Sequence, residues 1–305
     1  MHSFGDERLA PANGIELAYQ EMGDADGQPL LLVMGLATQM LAWDEGFCGL
    51  LAERGFRVVR FDNRDIGRST KIESAGVPRR VDMMLGRRAS APYLLADMAA
   101  DTTGLMDHLG IDSAHVVGAS MGGMIVQTMA LEQPNRVRSM VSIMSNTGSR
   151  WTGMPSRKAM AILLGRPPRG REQAIERAVK TFKVIGSPGY PFDEERLRDV
   201  AGRSYDRGHS AAGVLRQLHA ITASGDRTQA LRGVRAPTTV IHGNSDPLVR
   251  PAGGRATARA IPNARLKMID GMGHDLPRQL WPLFAEEIAA NAARAGRGEA
   301  AKQPA

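Results

Sequence analysis

Residues 115–123 read HVVGASMGG, and this stretch decides the fold. It sets Gly118-Ala119-Ser120-Met121-Gly122 between an apolar, strand-like run and the helical stretch MGGMIVQTMALEQP, which Pro134 stops. Gly-x-Ser-x-Gly is short enough to arise by chance, so its context has to carry the reading. Here the context is a strand before and a helix after, the sharp turn that lifts a serine Oγ above a sheet. Such a turn crowds the backbone, which is why the positions two before and two after the serine are glycine. The helix N-terminus behind it favours negative charge near the serine. The stretch is not a phosphate loop, because no Gly-Lys-Ser/Thr follows.

Outward from this turn the chain repeats strand, turn, helix. IELAYQEM at 15–22 alternates and reads as an edge strand, while PLLLVMG at 29–35 is a continuous apolar run, as in a strand buried on both faces. FRVVRFD at 56–62, SAHVVGAS and VRSMVSIMS are further strands, and FCGLLAERG and residues 91–110 are helices, ending at Gly55 and Gly110. Between 146 and 230 the rhythm breaks: four helix-like segments follow one another with no strand between them, parted by clusters such as GRPPRGR. Strands resume with TTVIHGN at 238–244 and ARLKMID at 264–270, and a long helix closes the chain. The expected architecture is an α/β core with a mostly parallel central sheet and helices on both faces. The core spans 1–145 and 231–298, a helical cap is inserted at 146–230, and 299–305 is a flexible tail.

A serine nucleophile needs a base and an orienting acid. After a turn of this kind the acid and then the histidine follow later strands. Of the seven histidines, His274 alone sits after the last strand, in IDGMGHDLP, whose two glycines free the chain to bring the ring back to the sheet. Asp246, after TTVIHG, is the acid; Asp270 and Asp275 are weaker candidates that flank the histidine. His242 precedes the acid and reads as structural. The oxyanion hole needs two backbone N–H donors. Met121 supplies one and Leu36, after Gly35 in LLLVMGLATQM, the other. Asp62, Arg64 and Arg68 in FDNRDIGRST read as bracing for the neighbouring turn.

Together, VMGL, FDNRDIGRS, VVGASMGG, HGNSDPLV and GMGHDLP resemble the α/β-hydrolase superfamily, in the expected order and across nearly the whole core. VMG in place of the commoner His-Gly, with DNRDIGRS and GMGH, looks most like the aclacinomycin methylesterase-like carboxylesterases. That resemblance implies a serine esterase acting on carboxylic esters through an acyl-enzyme, and the insertion at 146–230, too charged to form a lid that opens on an oil droplet, points to esters of small to medium size. Relatives differ at marked positions. Proline iminopeptidases usually carry Trp where Met121 stands. Dehalogenases and epoxide hydrolases use Asp in place of Ser120. Carbon–carbon bond hydrolases usually carry an aromatic residue where Asp275 stands. A cofactor-free haloperoxidase, a lactonase or a carbon–carbon bond hydrolase on the same fold remains an alternative, as does a near-inactive ligand receptor. Met40, Trp43, Trp151, Met154 and Leu248 are the expected walls of an apolar pocket.

Composition limits the remaining classes. The chain has 305 residues, 43% hydrophobic and 23% charged, which is ordinary globular usage. Its net charge of +7 comes from scattered arginines, densest in RRVDMMLGRR at 79–88 without interleaved aromatics, so no nucleic-acid partner is implied. No apolar run reaches a membrane span, no secretory signal is visible, and the single Cys48 cannot form an internal disulfide. The expectation is a cytoplasmic enzyme of a small-molecule ester, with no cofactor, no metal site and no membrane partner. A homo-oligomer is left open.

Overall fold

The computed structural model describes residues 3–163, 165 and 167–300. Eight strands form one sheet: β1 (Arg8–Ala12), β2 (Ile15–Met22), β3 (Gln28–Val33), β4 (Phe56–Phe61), β5 (Ala114–Ala119), β6 (Val137–Ile143), β7 (Thr238–Gly243) and β8 (Arg265–Ile269). Their order is β1-β2-β4-β3-β5-β6-β7-β8. From β4 to β8 every pairing is parallel; β2 runs antiparallel to β4, and β1 antiparallel to β2. β5 and β7 are buried along their whole length, as expected for strands covered on both faces.

The helices are α1 (Glu45–Ala52), α2 (Arg80–Leu85), α3 (Leu95–His108), α4 (Met121–Glu132), α5 (Arg157–Leu163), α6 (Arg171–Ile185), α7 (Glu194–Arg207), α8 (Ala211–Ser224), α9 (Pro251–Ala260) and α10 (Trp281–Ala300). Two apolar cores result, one on each face of the sheet. The first packs Leu31, Val116 and Val33 beneath α3 and α4, with Met98, Leu105, Ile125 and Met129. The second packs Leu30, Leu32 and Val117 beneath α1 and α10, with Phe47, Leu51, Phe284 and Ile288. Burying such side chains stabilises by roughly 1.5–3 kcal/mol each and holds the parallel strands between two helical layers. Helices α5–α8 all lie in the long connection between β6 and β7; α6 packs on α7, and α8 on α2 and α3.

Four elements differ from the sequence reading, one of them α2, a short helix within the arginine-dense stretch 79–88. Residues 15–22 form a strand but not the edge, because β1 pairs outside it through a tight turn. Asn13 and Gly14 occupy that turn with φ of 51° and 77°, the positive pair of a two-residue hairpin. The Asn-Gly dipeptide carried that signal. The helix expected across 91–110 begins only at Leu95, where the Asp97 carboxylate accepts from the Leu94 N–H at 2.7 Å. PAGGRATARA forms α9 despite two glycines, with Pro251 in its first turn, where a missing N–H costs nothing. The expected tail at 299–305 lies outside the described residues from 301 onward. Among the described residues no helix is long and apolar enough to cross a membrane.

Candidate active site

Ser120 lies between β5 and α4 with φ 55° and ψ −119°, a positive φ that a non-glycine residue rarely holds. Such backbone strain costs on the order of 1–3 kcal/mol and persists only where packing enforces it. The packing here is close. A Cβ on Gly118 would sit 2.2 Å from Gly122 O, and one on Gly122 would sit 2.0 Å from Val33 O. The turn therefore closes only with glycine at both positions. Its end is held by the Ser120 N–H, which donates to Ile143 O on β6 at 2.9 Å.

The structure brings Ser120, His274 and Asp246 together from three parts of the chain. The Ser120 hydroxyl lies 3.0 Å from His274 Nε2, and His274 Nδ1 lies 2.7 Å from Asp246 Oδ2. Asp246 is buried, and its other oxygen accepts from the N–H groups of Leu248 at 2.8 Å and Val249 at 2.9 Å. Three donors thus hold the carboxylate and fix its plane. His242 lies beneath it, fully buried, donating from Nε2 to Val249 O at 2.7 Å. Burial lowers the His242 pKa, so it stays neutral beside the acid as a structural group. Asp270 is exposed and accepts from Asn244 Nδ2 at 2.6 Å; Asp275 takes the Ser187 hydroxyl. Neither of these acids is bonded to the His274 ring.

The β3 exit loop faces the serine. A Cβ on Gly35 would lie 3.0 Å from Ser120 Cβ and 3.5 Å from its Oγ, so a side chain here would crowd the serine. Leu36 follows and packs on the first core; Met121 opens α4, where its N–H has no partner within the helix. Ala37 has φ 60°, and its N–H donates to Gln217 Oε1 at 3.1 Å. Gln217 also donates to Arg64 O at 2.8 Å, and Asn63 Nδ2 donates to Met34 O at 2.9 Å. Asp62 accepts from the N–H groups of Met40 and Arg68 and from Arg207 at 2.8 Å; Arg64 donates to the two oxygens of Asp101 from Nε and Nη2, each at 2.6 Å. Gln217 and Asn63 went unread in the sequence. Asn63 had a signal, a small polar residue at a strand end. Gln217 had none, because it reaches Ala37 from 180 positions away.

The five expected pocket residues scatter. Trp43 is fully buried and stacks on Phe47 at 5.9 Å in the second core, so it is not a pocket wall. Trp151 is 93% exposed and Met154 50% exposed, so neither closes a cavity. Met40 is buried, with its N–H on Asp62 Oδ1 at 2.8 Å, and Leu248 reaches the site by its backbone. Residue type marks these side chains as apolar, and that property suits core, wall and surface alike. Cys48 is buried and its thiol is pushed up to about 12 by burial, which removes it as a nucleophile. Among the described residues no group of three His, Cys, Asp or Glu side chains could hold a metal ion.

A family model described as alpha/beta hydrolase fold matches residues 28–277. Rhodomycin D methylesterase of Streptomyces peucetius is 27% identical, over 93% of this chain and 97% of its own. 3-Oxoadipate enol-lactonase 2 of Acinetobacter baylyi is 25% identical, over 85% of this chain and 86% of its own. Among solved structures, the meta-cleavage product hydrolase of Pseudomonas fluorescens IP01 superposes with a TM-score of 0.74 at 19% identity, covering 94% of this chain and 98% of that one. These are likenesses, and the structural one speaks to the fold.

Proposed function

Because the chain belongs to the alpha/beta hydrolase fold family, we propose that it is a serine carboxylesterase that cleaves carboxylic esters of small to medium size. The observation that carries this reading is the unbroken relay from Ser120 Oγ through His274 to Asp246, at 3.0 and 2.7 Å. In the proposed mechanism His274 Nε2 takes the Ser120 proton as Oγ attacks the ester carbonyl. Asp246 accepts from Nδ1–H, which fixes the working tautomer and stabilises the imidazolium that forms. The oxyanion is bound by the N–H groups of Leu36 and Met121; Met121 adds the positive end of the α4 dipole. The imidazolium returns its proton to the leaving alkoxide. Water then attacks the acyl-enzyme, with the same histidine as base, and releases the acid.

The methylesterase relative supports an ester substrate, and the enol-lactonase relative fits the same chemistry on a cyclic ester. Residues 146–230 would act as a cap over this site. A panel of p-nitrophenyl esters, methyl esters, lactones and carbon–carbon cleavage substrates, run with wild type and Ser120→Ala, tests the reading. Multiple turnover of esters that Ser120→Ala abolishes is expected. Equal activity in the variant, or turnover of carbon–carbon substrates alone, would overturn it, and binding without turnover would mark a receptor.

A further inference from the structure

His274 sits on the loop between β8 and α10, a loop with two glycines, Gly271 at φ 70° and Gly273. Two glycines give this loop wide backbone freedom, and the one bond that the His274 ring donates to Asp246 does not by itself stop the ring rocking about it. The missing restraint comes from the segment that leaves the C-terminal end of α6. The His274 N–H donates to Ile185 O at 2.7 Å, the Gly273 N–H to Ser187 Oγ at 2.8 Å, and the Gly189 N–H to Gly271 O at 3.0 Å. Tyr190 OH donates to Asp270 O at 3.2 Å. The two backbones touch: a Cβ on Gly273 would lie 2.3 Å from Gly186 O, and one on Gly189 would lie 2.7 Å from Gly271 Cα.

Ser187 spans the histidine. Its hydroxyl accepts from the residue before His274 and donates to the carboxylate of Asp275, the residue after it. Burial raises the pKa of Asp275, and the Ser187 hydrogen bond opposes that shift, so the carboxylate leans on this serine. We propose that Ser187, supplied by the helical segment between β6 and β7, is a positioning residue that sets His274 against Ser120. The proposal rests on the reading of Ser120, His274 and Asp246 as the catalytic relay. It makes that segment part of the base's support, in addition to any role as a cap. Reacting groups misplaced by about an ångström lose on the order of 100-fold in rate, so a loosened histidine loop should be visible in kcat.

The test compares wild type, Ser187→Ala, Ser187→Thr, Asp275→Asn and the Ser187→Ala/Asp275→Asn double variant. The readouts are ester hydrolysis, the rate of fluorophosphonate labelling at Ser120, and the downfield proton resonance of the His274–Asp246 hydrogen bond. Ser187→Ala is expected to lower kcat by about 10- to 100-fold with KM little changed, and to slow labelling in step. It should also broaden or shift the downfield resonance. Ser187→Thr, which keeps the hydroxyl, should recover most of the rate. The double variant should be no slower than the slower single variant, because the two groups act through one bond. Should Ser187→Ala not fold, Asp275→Asn with the same readouts decides. If wild type is not labelled at Ser120, the relay reading fails. If wild type is labelled and the loosened variant labels at the wild-type rate with an unmoved resonance, the relay stands and the positioning role of Ser187 is overturned.

Discussion

His274 Nδ1 and Asp246 Oδ2 lie 2.7 Å apart across 28 residues of chain, with the acid buried and its second oxygen held by two backbone N–H groups. An acid fixed in this way has a single orientation to offer. The histidine tautomer that leaves Nε2 free to accept from Ser120 follows from it.

Asp246→Asn should therefore lower kcat by about 10³- to 10⁴-fold while KM changes little, as loss of the orienting acid does in triads. Asp270→Asn should cost almost nothing, because Asp270 is exposed and its carboxylate accepts from Asn244 rather than from the His274 ring. Steady-state kinetics on one ester compares them. A larger loss in Asp270→Asn would move the acid.

Gly122→Ala should fail at the level of folding. Its Cβ would meet Val33 O at 2.0 Å, with Val33 C at 2.6 Å, and both are backbone atoms of a central strand that cannot rotate away. We expect a loss of about 3 kcal/mol or more, or no folded protein. Urea unfolding measures it, and wild-type stability in the variant would show that the turn after Ser120 can open.

Arg216 and Asp65 form a buried pair, with guanidinium nitrogens 2.6 and 2.8 Å from the two carboxylate oxygens. Burial alone would raise the Asp65 pKa, yet the bonds from Arg216, Tyr93 and the Ile72 N–H bring it below its ordinary value. Arg216→Ala leaves that carboxylate buried without its counter-ion and should destabilise by about 3–5 kcal/mol. Because α8 carries both Arg216 and Gln217, activity should also fall at temperatures where the fold persists. Denaturation together with residual esterase rate checks both effects.

His115 is buried beside Ser139 and Gln28, and burial, reinforced by Arg138, lowers its pKa from 6.5 to about 4. In the unfolded chain the ring takes a proton near pH 6.5, so between pH 6.5 and 4 the unfolded state binds more protons than the folded one. Its contribution to stability is whole above pH 6.5, declines as pH falls to about 4, and declines no further below that. The decline should amount to about 1–3 kcal/mol. Urea midpoints at pH 7.5 and 4.5 for wild type and His115→Gln test it; an unchanged difference in the variant would assign the acid sensitivity elsewhere.

Strands β2–β8, helices α1, α3–α8 and α10, the turn around Ser120 and the sequence positions of Asp246 and His274 were legible in the chain itself, whereas β1, α2 and α9 went unread. Each legible feature is a local pattern. Strand runs such as LLLV and HVVGA, glycines two residues either side of a serine, and an acid or histidine just after a strand report the backbone's immediate constraints. Asn13-Gly14 carried the outer hairpin in the same local way. What tertiary structure alone decided joins distant parts of the chain: Gln217 on the Ala37 loop, Arg216 against Asp65, and Ser187 on either side of His274. It also decided that Trp43 packs in the core while Trp151 stands in solvent, two indoles that composition cannot tell apart. Local steric preference acts over a few bonds and is written in neighbouring residues. Burial and long-range hydrogen bonding depend on which surfaces meet once the sheet and its helices have closed, and no single stretch of sequence holds that information.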